Sequence, residues 1–215
     1  MPGYKKVTQK HLPQEDVSND FVGYEVLIDF MGKRALQKLE GDIIEIGVFM
    51  GGGTAKLARF AKKYGKKVYA VDIFDPNCDK TQDINGVRMC DIYQAFLQGR
   101  TLLEVYRQTI QSFDNIITIQ KDSKKVKFPR EQNFIFGFID GNHQPDYVRD
   151  DFYIIWRNLV PGGSVGFHDY NFDLPKVTDV INSLINKHRD DISEVHEIKE
   201  KHIVLLTRRR DSSIK

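Results

Sequence analysis

The chain has 215 residues, of which 40% are hydrophobic and 29% are charged, and its formal net charge is +2. This length suits one α/β domain with a short appendage, and the near balance of charge excludes the strongly basic field typical of nucleic-acid binding. Two cysteines in so long a chain fit a reducing cytoplasm, and the absence of a long apolar run excludes a membrane-spanning segment, so we expect a cytoplasmic protein that binds neither nucleic acid nor membrane.

The first 40 residues are predicted to form a helical extension ahead of the main domain. Apolar residues recur at helical spacing from about 16 to 39, which indicates one or two amphipathic helices that end at Gly41. The basic residues at the other end of the chain, in 209–215, are expected to form a solvated tail.

The remaining segment, 41–208, alternates strands and helices. Apolar runs predict seven strands, at 42–47, 68–72, 116–119, 134–140, 164–168, 194–198 and 202–207. Helical spacing predicts the helices between them, at 54–64, 89–113 (with a break near Gly99), 145–159 and 175–188. The alternation predicts an α/β, Rossmann-like, doubly wound sheet that is mostly parallel, seven-stranded, and has an antiparallel edge strand.

Acids and imidazoles follow the ends of the predicted strands. In open parallel sheets ligands bind beyond the carboxyl ends of the strands, so these positions predict a functional site. The residues concerned are Glu45, Asp72, Asp122, Asp140, His143, His168 and Asp169.

The first strand is followed by a glycine-rich turn that contains Gly47, Gly51 and Gly53. Glycine lets the backbone approach a ligand closely, and the helix beyond offers unpaired N–H groups to an anionic group. Phe49 breaks the glycine spacing of dinucleotide-binding turns, and Glu45 would repel a pyrophosphate but favour an ammonium or a sulfonium. The turn predicts nucleotide binding, with an ordinary tight turn as the alternative.

Asp72 ends the second strand, 19 residues after Gly53. An acid at this position can accept hydrogen bonds from both hydroxyls of a ribose. The alternative is a capping or solvated aspartate, and the preceding glycine turn favours the ribose interpretation.

These motifs, taken in order, resemble those of the class I S-adenosylmethionine-dependent methyltransferases. The motifs that carry this resemblance are Glu45-x-Gly47-x-x-x-Gly51-x-Gly53-Thr54, Val71-Asp72 and Asp122-Ser123. A narrower resemblance, to the macrolide and aminocoumarin sugar O-methyltransferases, is carried by Ile139-Asp140-Gly141-Asn142-His143, Pro161-Gly162-Gly163 and His168-Asp169-Tyr170.

The resemblance implies a binding role for each residue of the first three motifs. Gly47, Gly51, Gly53 and Thr54 would line the methionine end of S-adenosylmethionine, with Glu45 near its amino group. Asp72 would accept from the ribose. Asp122 would accept from the adenine amino group with Ser123 beside the ring, although Asp122 could instead be a surface acid next to two lysines.

The resemblance also implies a divalent metal held by Asp140, His168 and Asp169. Adjacent strands lie ~4.8 Å apart, so these side chains can meet around one ion. Oxygen ligands suit Mg²⁺, whereas an imidazole ligand favours Mn²⁺. The alternative is a metal-free site in which the two acids only shape the pocket.

His143, three residues after Asp140, is the candidate general base, because a neutral imidazole can accept a proton at physiological pH. Alternatively, His143 could be a metal ligand or a helix cap. We therefore expect metal-assisted O-methylation of a small-molecule acceptor such as a sugar, a phenol or a polyketide-like hydroxyl. Tyr4, Phe21, Tyr24 and the segment 75–110 are expected to cover the acceptor.

Three other functions stay open at this stage. A metal-independent N-methyltransferase would share the cofactor motifs, and a nicotinamide-dependent oxidoreductase would share the fold. A non-catalytic cofactor-binding protein would not need the cluster of Asp140, His143, His168 and Asp169. A homodimer is also compatible with the sequence.

Overall fold

The computed structural model describes residues 20–211 and contains a seven-stranded sheet. Its strands are β1 (Asp42–Ile46), β2 (Val68–Asp72), β3 (Ile116–Gln120), β4 (Phe134–Ile139), β5 (Leu159–Phe167), β6 (Ile192–Ile198) and β7 (Ile203–Arg208). They are arranged in the order β3-β2-β1-β4-β5-β7-β6, and only the pairs that include β7 are antiparallel. The predicted fold class is confirmed.

Burial explains why β7 lies inside the sheet while β6 forms its edge. The run of four apolar residues from Ile203 to Leu206 is fully buried, as a strand paired on both sides and covered on both faces requires. In β6 four of the seven residues are polar, and Val195 is exposed, which is typical of an edge strand that solvent reaches. β7 and β6 together therefore form the antiparallel edge of the sheet, with β6 outermost.

The described part of the chain contains six α-helices, of which α1 precedes the first strand and the other five lie between strands. Local sequence fixes several of their boundaries. They are α1 (Glu25–Lys33), α2 (Gly52–Lys62), α3 (Met89–Leu97), α4 (Leu102–Ile110), α5 (Pro145–Trp156) and α6 (Pro175–Lys187). Proline opens α5 and α6, where its missing N–H costs nothing. Thr101 and Glu104 form a capping box that begins α4 just after the predicted break at Gly99.

The fifth strand begins earlier than predicted. The sequence places a turn at Pro161-Gly162-Gly163, but these residues lie within β5, which pairs with β4 from Leu159 onward. The register shifts between Phe134 and Phe136 of β4, opposite this segment. Proline has no backbone N–H to donate to the neighbouring strand, and the register shift accommodates Pro161 within the strand without a chain reversal.

Helices cover both faces of the sheet, and α1 is part of the core. Ile43 packs in one cluster with Leu27 of α1 and Leu57 of α2. Its neighbour Ile44 packs in a second cluster with Phe152 of α5, because successive residues of a strand point to opposite faces. The predicted extension is therefore packed against the domain from residue 20 onward, while Tyr4 and the last four residues of the basic tail lie outside the described residues. Between residues 20 and 211 there is no helix long and apolar enough to cross a membrane.

Candidate active site

The carboxyl ends of the parallel strands open into one cavity of about 300 Å³. Eight of the predicted site residues line it: Gly47, Asp72, Asp122, Ser123, Asp140, His143, His168 and Asp169. The structure therefore brings together residues that are more than one hundred positions apart in the chain, as the strand-end pattern predicts.

Asp72 shapes the glycine turn as well as facing the cavity. Its Oδ2 accepts the backbone N–H of Val48 at 2.9 Å and that of Phe49 at 3.2 Å, and its Oδ1 accepts the N–H of Phe74 at 2.6 Å. Oδ1 keeps a lone pair for a ligand hydroxyl. Burial raises the pKa of Asp72, although these N–H groups counteract it. The ribose-binding role stays a prediction.

Phe49 explains why the turn departs from the dinucleotide pattern. It adopts a left-handed conformation with a φ of 46°, which is uncommon for a residue with a side chain. Asp72 holds its N–H, and its ring lines the cavity. Gly47, by contrast, has to be glycine, because a Cβ there would lie 2.1 Å from the carbonyl oxygen of Asp140.

Four predicted cofactor residues lie behind the cavity wall: Glu45, Gly51, Gly53 and Thr54. Glu45 is 1% exposed, and its carboxyl group accepts the Thr54 hydroxyl at 2.6 Å. Burial raises the pKa of Glu45 to about 8, despite hydrogen bonds from Thr54 and Tyr24. The ring of Tyr24 lies over Gly53, where a Cβ would meet it at 2.4 Å. In this structure these residues pack α1 and α2 against β1, and their contact with the cofactor stays a prediction.

Asp122 caps the short helical turn Ser123–Lys125 by accepting the N–H of Lys124 at 3.1 Å. Both Asp122 and Ser123 also line the cavity, so the capping and ligand-binding interpretations are compatible. Deeper in the same wall lies Asp151, fully buried on α5, which the sequence analysis did not select. Burial raises the pKa of Asp151 to about 7.

A compact group of possible metal ligands lies at the ends of β4 and β5. Ligand atoms of Asp140, His143 and Asp169 are all within 4.8 Å of one another. His168 lies beside them, with Nδ1 at 3.2 Å from Asp140 Oδ1 and at 3.2 Å from Asp169 Oδ2. Asp169 has a φ of 59°, a strained conformation of the kind that often occurs at functional sites. His143 thus belongs to the ligand group of the structure, whereas His168, which was predicted as a ligand, lies beside that group.

His143 is held between two carboxylates. Nδ1 lies 2.5 Å from Asp79 Oδ2, and Nε2 lies 2.8 Å from Asp169 Oδ2. Burial alone would lower the pKa of His143, but Asp169 and Asp79 raise it to about 10. Burial also lowers the pKa of His168, but Asp140 and Asp169 outweigh this effect and raise that pKa to about 11. The two imidazolium groups can therefore neutralise the acids when no metal is bound.

Asp79 is the partner of His143 that sequence reasoning missed. It is 1% exposed and also accepts the backbone N–H of His143 at 3.2 Å. It belongs to a polar, turn-rich segment after β2, and the two residues are 64 positions apart. The sequence carries no periodic or motif signal for this contact, since it depends on how the segment folds back over β4.

Comparisons with known proteins agree with this architecture. A family model described as a methyltransferase domain matches residues 44–170. The structure of the O-methyltransferase NovP matches with a TM-score of 0.64 at 17% identity, covering 88% of this chain and 80% of NovP. The calicheamicin methyltransferase CalS11 matches with a TM-score of 0.61 at 16% identity, covering 93% and 87%.

A third similar structure contains a metal. The MycE methyltransferase from the mycinamycin biosynthetic pathway, in complex with Mg, SAH and mycinamycin VI, matches with a TM-score of 0.54 at 16% identity. The match covers 90% of this chain and 52% of MycE. No curated protein sequence matches the chain significantly.

Proposed function

The chain belongs to the methyltransferase domain family and is an S-adenosylmethionine-dependent methyltransferase. We propose that it methylates a hydroxyl group of a small molecule and that a divalent cation assists the reaction. The O-methyltransferase NovP and the Mg-bound MycE support this choice among methyl acceptors, since both share the fold. The observation that carries the proposal is the grouping of Asp140, His143 and Asp169 in the same cavity as Asp72.

The donor set fits a divalent cation. Two carboxylates and an imidazole converge within 4.8 Å, and close carboxylates repel each other unless a positive charge lies between them. Asp140 and Asp169 would each give an oxygen, and His143 or His168 a nitrogen, a mixture that favours Mn²⁺ or a similar ion over Mg²⁺. When bound, the cation would lower the pKa of the acceptor hydroxyl and hold that group in place.

The protein's own residues position the two substrates. S-Adenosylmethionine supplies the methyl group as an electrophilic sulfonium. Asp72 would accept hydrogen bonds from the ribose hydroxyls of S-adenosylmethionine, while Asp122 and Ser123 would contact the adenine. Because methyl transfer is a displacement, most of the acceleration is expected from holding the acceptor oxygen in line with the methyl carbon.

His143 would accept the proton of the acceptor hydroxyl. Both ring nitrogens of His143 face carboxylates, Asp79 at Nδ1 and Asp169 at Nε2, so the ring is an imidazolium when no cation is bound. A cation bound by Asp169 would favour loss of the Nε2 proton, leaving Nδ1–H on Asp79 and an unprotonated Nε2 turned toward the cluster. Such a nitrogen can take a proton, or it can bind a cation with Asp79 fixing the ring orientation. We assign the base role to His143. The nitrogen ligand would then be His168, whose Nδ1 lies 3.2 Å from a carboxylate oxygen of Asp140 and of Asp169.

The metal requirement is tested by methyl transfer from S-adenosylmethionine to a panel of hydroxylated small molecules. Excess chelator should abolish the formation of S-adenosylhomocysteine, and adding back Mn²⁺ should restore it. The Asp169→Asn variant should be inactive with or without Mn²⁺, and the exposed Asp114→Asn variant should behave as the wild type. Full activity in chelator would reject the metal.

The role of His143 is tested separately by His143→Ala. General base catalysis contributes ~10²–10⁴-fold, so kcat should fall by about that factor while bound Mn²⁺ is retained. Loss of Mn²⁺ from this variant would instead make His143 the nitrogen ligand. Unchanged turnover with retained metal would remove His143 from the mechanism. Rates and metal content are measured on the same preparation.

A further inference from the structure

Aromatic side chains form one wall of the cavity, beside the metal cluster. Phe49 comes from the glycine turn, and Tyr93 and Phe96 come from α3. The last two are three positions apart, so they lie on the same face of that helix. Phe21, just before α1, completes the group, and all four residues line the cavity. We call these four residues the aromatic wall.

Ring contacts run continuously along the aromatic wall. Tyr93 and Phe49 have ring centroids 5.4 Å apart, Phe49 and Phe96 6.1 Å, and Phe96 and Phe21 4.6 Å. These distances fall in the range of favourable aromatic pairs. Phe21 and Phe96 are nevertheless 55% and 42% exposed. Aromatic rings left open to solvent at the mouth of a binding cavity are typical of a surface that a ligand covers.

The inner end of the wall lies where the two substrates have to meet. The backbone N–H of Phe49 donates to Asp72, the proposed ribose acid, and the Phe49 ring contacts Tyr93. Both aromatic residues line the same cavity as the proposed metal ligands Asp140 and Asp169. An acceptor whose hydroxyl group reaches the metal cluster would therefore place the rest of its body along Phe49, Phe96 and Phe21.

The charge of the cavity restricts what that body can carry. Among the described residues that line it are seven aspartates, one lysine (Lys121), two histidines and no arginine. Both histidines are already paired with aspartates of the cluster and so are not free to bind a phosphate. A phosphate or pyrophosphate on the acceptor would face repulsion from these carboxylates and would find no bidentate cationic partner. A bound cation would offset only part of this negative charge.

We infer that the acceptor is a hydroxylated aromatic compound without a phosphate group, held by stacking on the aromatic wall. This inference rests on the proposed O-methylation for its hydroxyl group, but its selectivity for rings is a property of binding. Binding and methyl transfer can therefore be tested apart.

The test compares benzyl alcohol with two probes, each of which changes one property. Benzyl alcohol has the ring and the hydroxyl group, cyclohexylmethanol replaces the ring by a saturated one, and 4-(hydroxymethyl)phenyl phosphate keeps the ring and the hydroxyl group and adds a phosphate. Dissociation constants are measured by ligand-observed NMR on protein saturated with S-adenosylhomocysteine, in chelator so that no cation bridges the phosphate. Benzyl alcohol should bind at least about fivefold more tightly than cyclohexylmethanol, because the saturated ring loses the aromatic contacts, and more tightly than the phosphorylated probe, because the carboxylates repel the phosphate.

Variants locate the binding of the probe. Phe96→Ala and Phe21→Ala should each weaken the binding of benzyl alcohol about fivefold or more and leave the affinity for S-adenosylhomocysteine unchanged. Tyr64→Ala is the matched control, since Tyr64 is 46% exposed but lies at the end of α2, outside the cavity. Equal binding of the saturated probe, tighter binding of the phosphate, no binding of benzyl alcohol, or unaffected Phe variants would each overturn the inference.

The outcome for the proposed function is read from a different measurement. Selective binding of benzyl alcohol without methylation of any hydroxyl group in the acceptor panel would reject O-methylation and keep the aromatic selectivity. Metal-dependent methylation of a phosphorylated or saturated acceptor, in preference to an aromatic one, would do the reverse.

Discussion

Single carboxyl groups in this protein hold backbone turns as well as facing ligands. Asp72 is the clearest case, because its two oxygens accept three backbone N–H groups from the turns after β1 and β2. The shape of the glycine turn and the predicted contact with the cofactor therefore depend on the same side chain. A substitution that keeps its size but removes its charge affects both.

We predict that Asp72→Asn weakens S-adenosylhomocysteine binding more than tenfold. Asparagine has one acceptor oxygen instead of two, and hydrogen bonds to a charged group contribute ~1.5–3 kcal/mol each. Calorimetric titration measures the effect, with the exposed Asp114→Asn as a control that should bind normally. An affinity within twofold of the wild type would show that Asp72 does not contact the cofactor.

Glu45 makes stability depend on pH in an unusual direction for an acid. Burial raises its pKa in the folded protein to about 8 from a usual value of 4.5, so the folded state holds the proton more tightly. The protonated Glu45 carboxyl group therefore contributes fully to the stability of the fold below its unfolded pKa, and this contribution is lost as the pH rises from 4.5 to about 8.

Glu45→Gln should therefore be more stable than the wild type above pH 8, by a few kcal/mol at ~1.4 kcal/mol per pKa unit. Glutamine keeps a neutral acceptor for the Thr54 hydroxyl, and so the advantage should shrink as the pH falls toward 4.5. Urea unfolding at several pH values measures this, with the exposed Glu40→Gln as control. Parallel stability curves for Glu45→Gln and the wild type would contradict the burial argument.

The elements differ in how far the sequence alone could define them. The apolar runs at β1, β2 and β4 predicted the strands and their polar ends, because parallel strands buried on both faces need such runs. The start of β5 was misplaced, since proline and glycine usually mark turns but here mark an irregularity within a strand. The contact of Asp79 with His143 could not be predicted from the sequence, because it joins an irregular segment to a strand end and no periodic pattern indicates it.

The helix α1 illustrates the same limit for packing. Its spacing predicted an amphipathic helix, but only the structure places Leu27 and Met31, both fully buried, against α2 and the sheet. Of residues 20–40, Phe21 and Val22, just before the helix, line the cavity. The helix is therefore part of the core, and the residues just before it form the edge of the site.

We predict that Leu27→Ala lowers the free energy of unfolding by ~2–5 kcal/mol, the usual range for a fully buried leucine. Asp29→Ala on the exposed side of α1 is the matched control, because it removes only a surface ion pair with Lys33. Denaturant unfolding gives both values. A loss below ~1 kcal/mol for Leu27→Ala would mean that α1 does not belong to the cooperative core.

At the scale of the whole molecule, the fold gathers negative charge at one point. Asp79, Asp140 and Asp169 come from the segments after β2, β4 and β5, and each lies in contact with His143 or His168. Such a concentration of carboxylates is costly unless positive charge is supplied. The imidazoles can supply it in the free protein, and a divalent cation is expected to supply it during catalysis.

The most direct test of this account is the number of Mn²⁺ ions bound per chain, measured by electron paramagnetic resonance in the presence of S-adenosylhomocysteine. The wild type should bind one ion, Asp169→Asn should bind none, and Asp114→Asn should bind one. Calorimetry on Asp169→Asn should give an affinity for S-adenosylhomocysteine within a few-fold of the wild type, which shows that the variant is folded. A wild type that binds no Mn²⁺, or an Asp169→Asn variant that binds it as tightly as the wild type, would contradict a metal centre at this site.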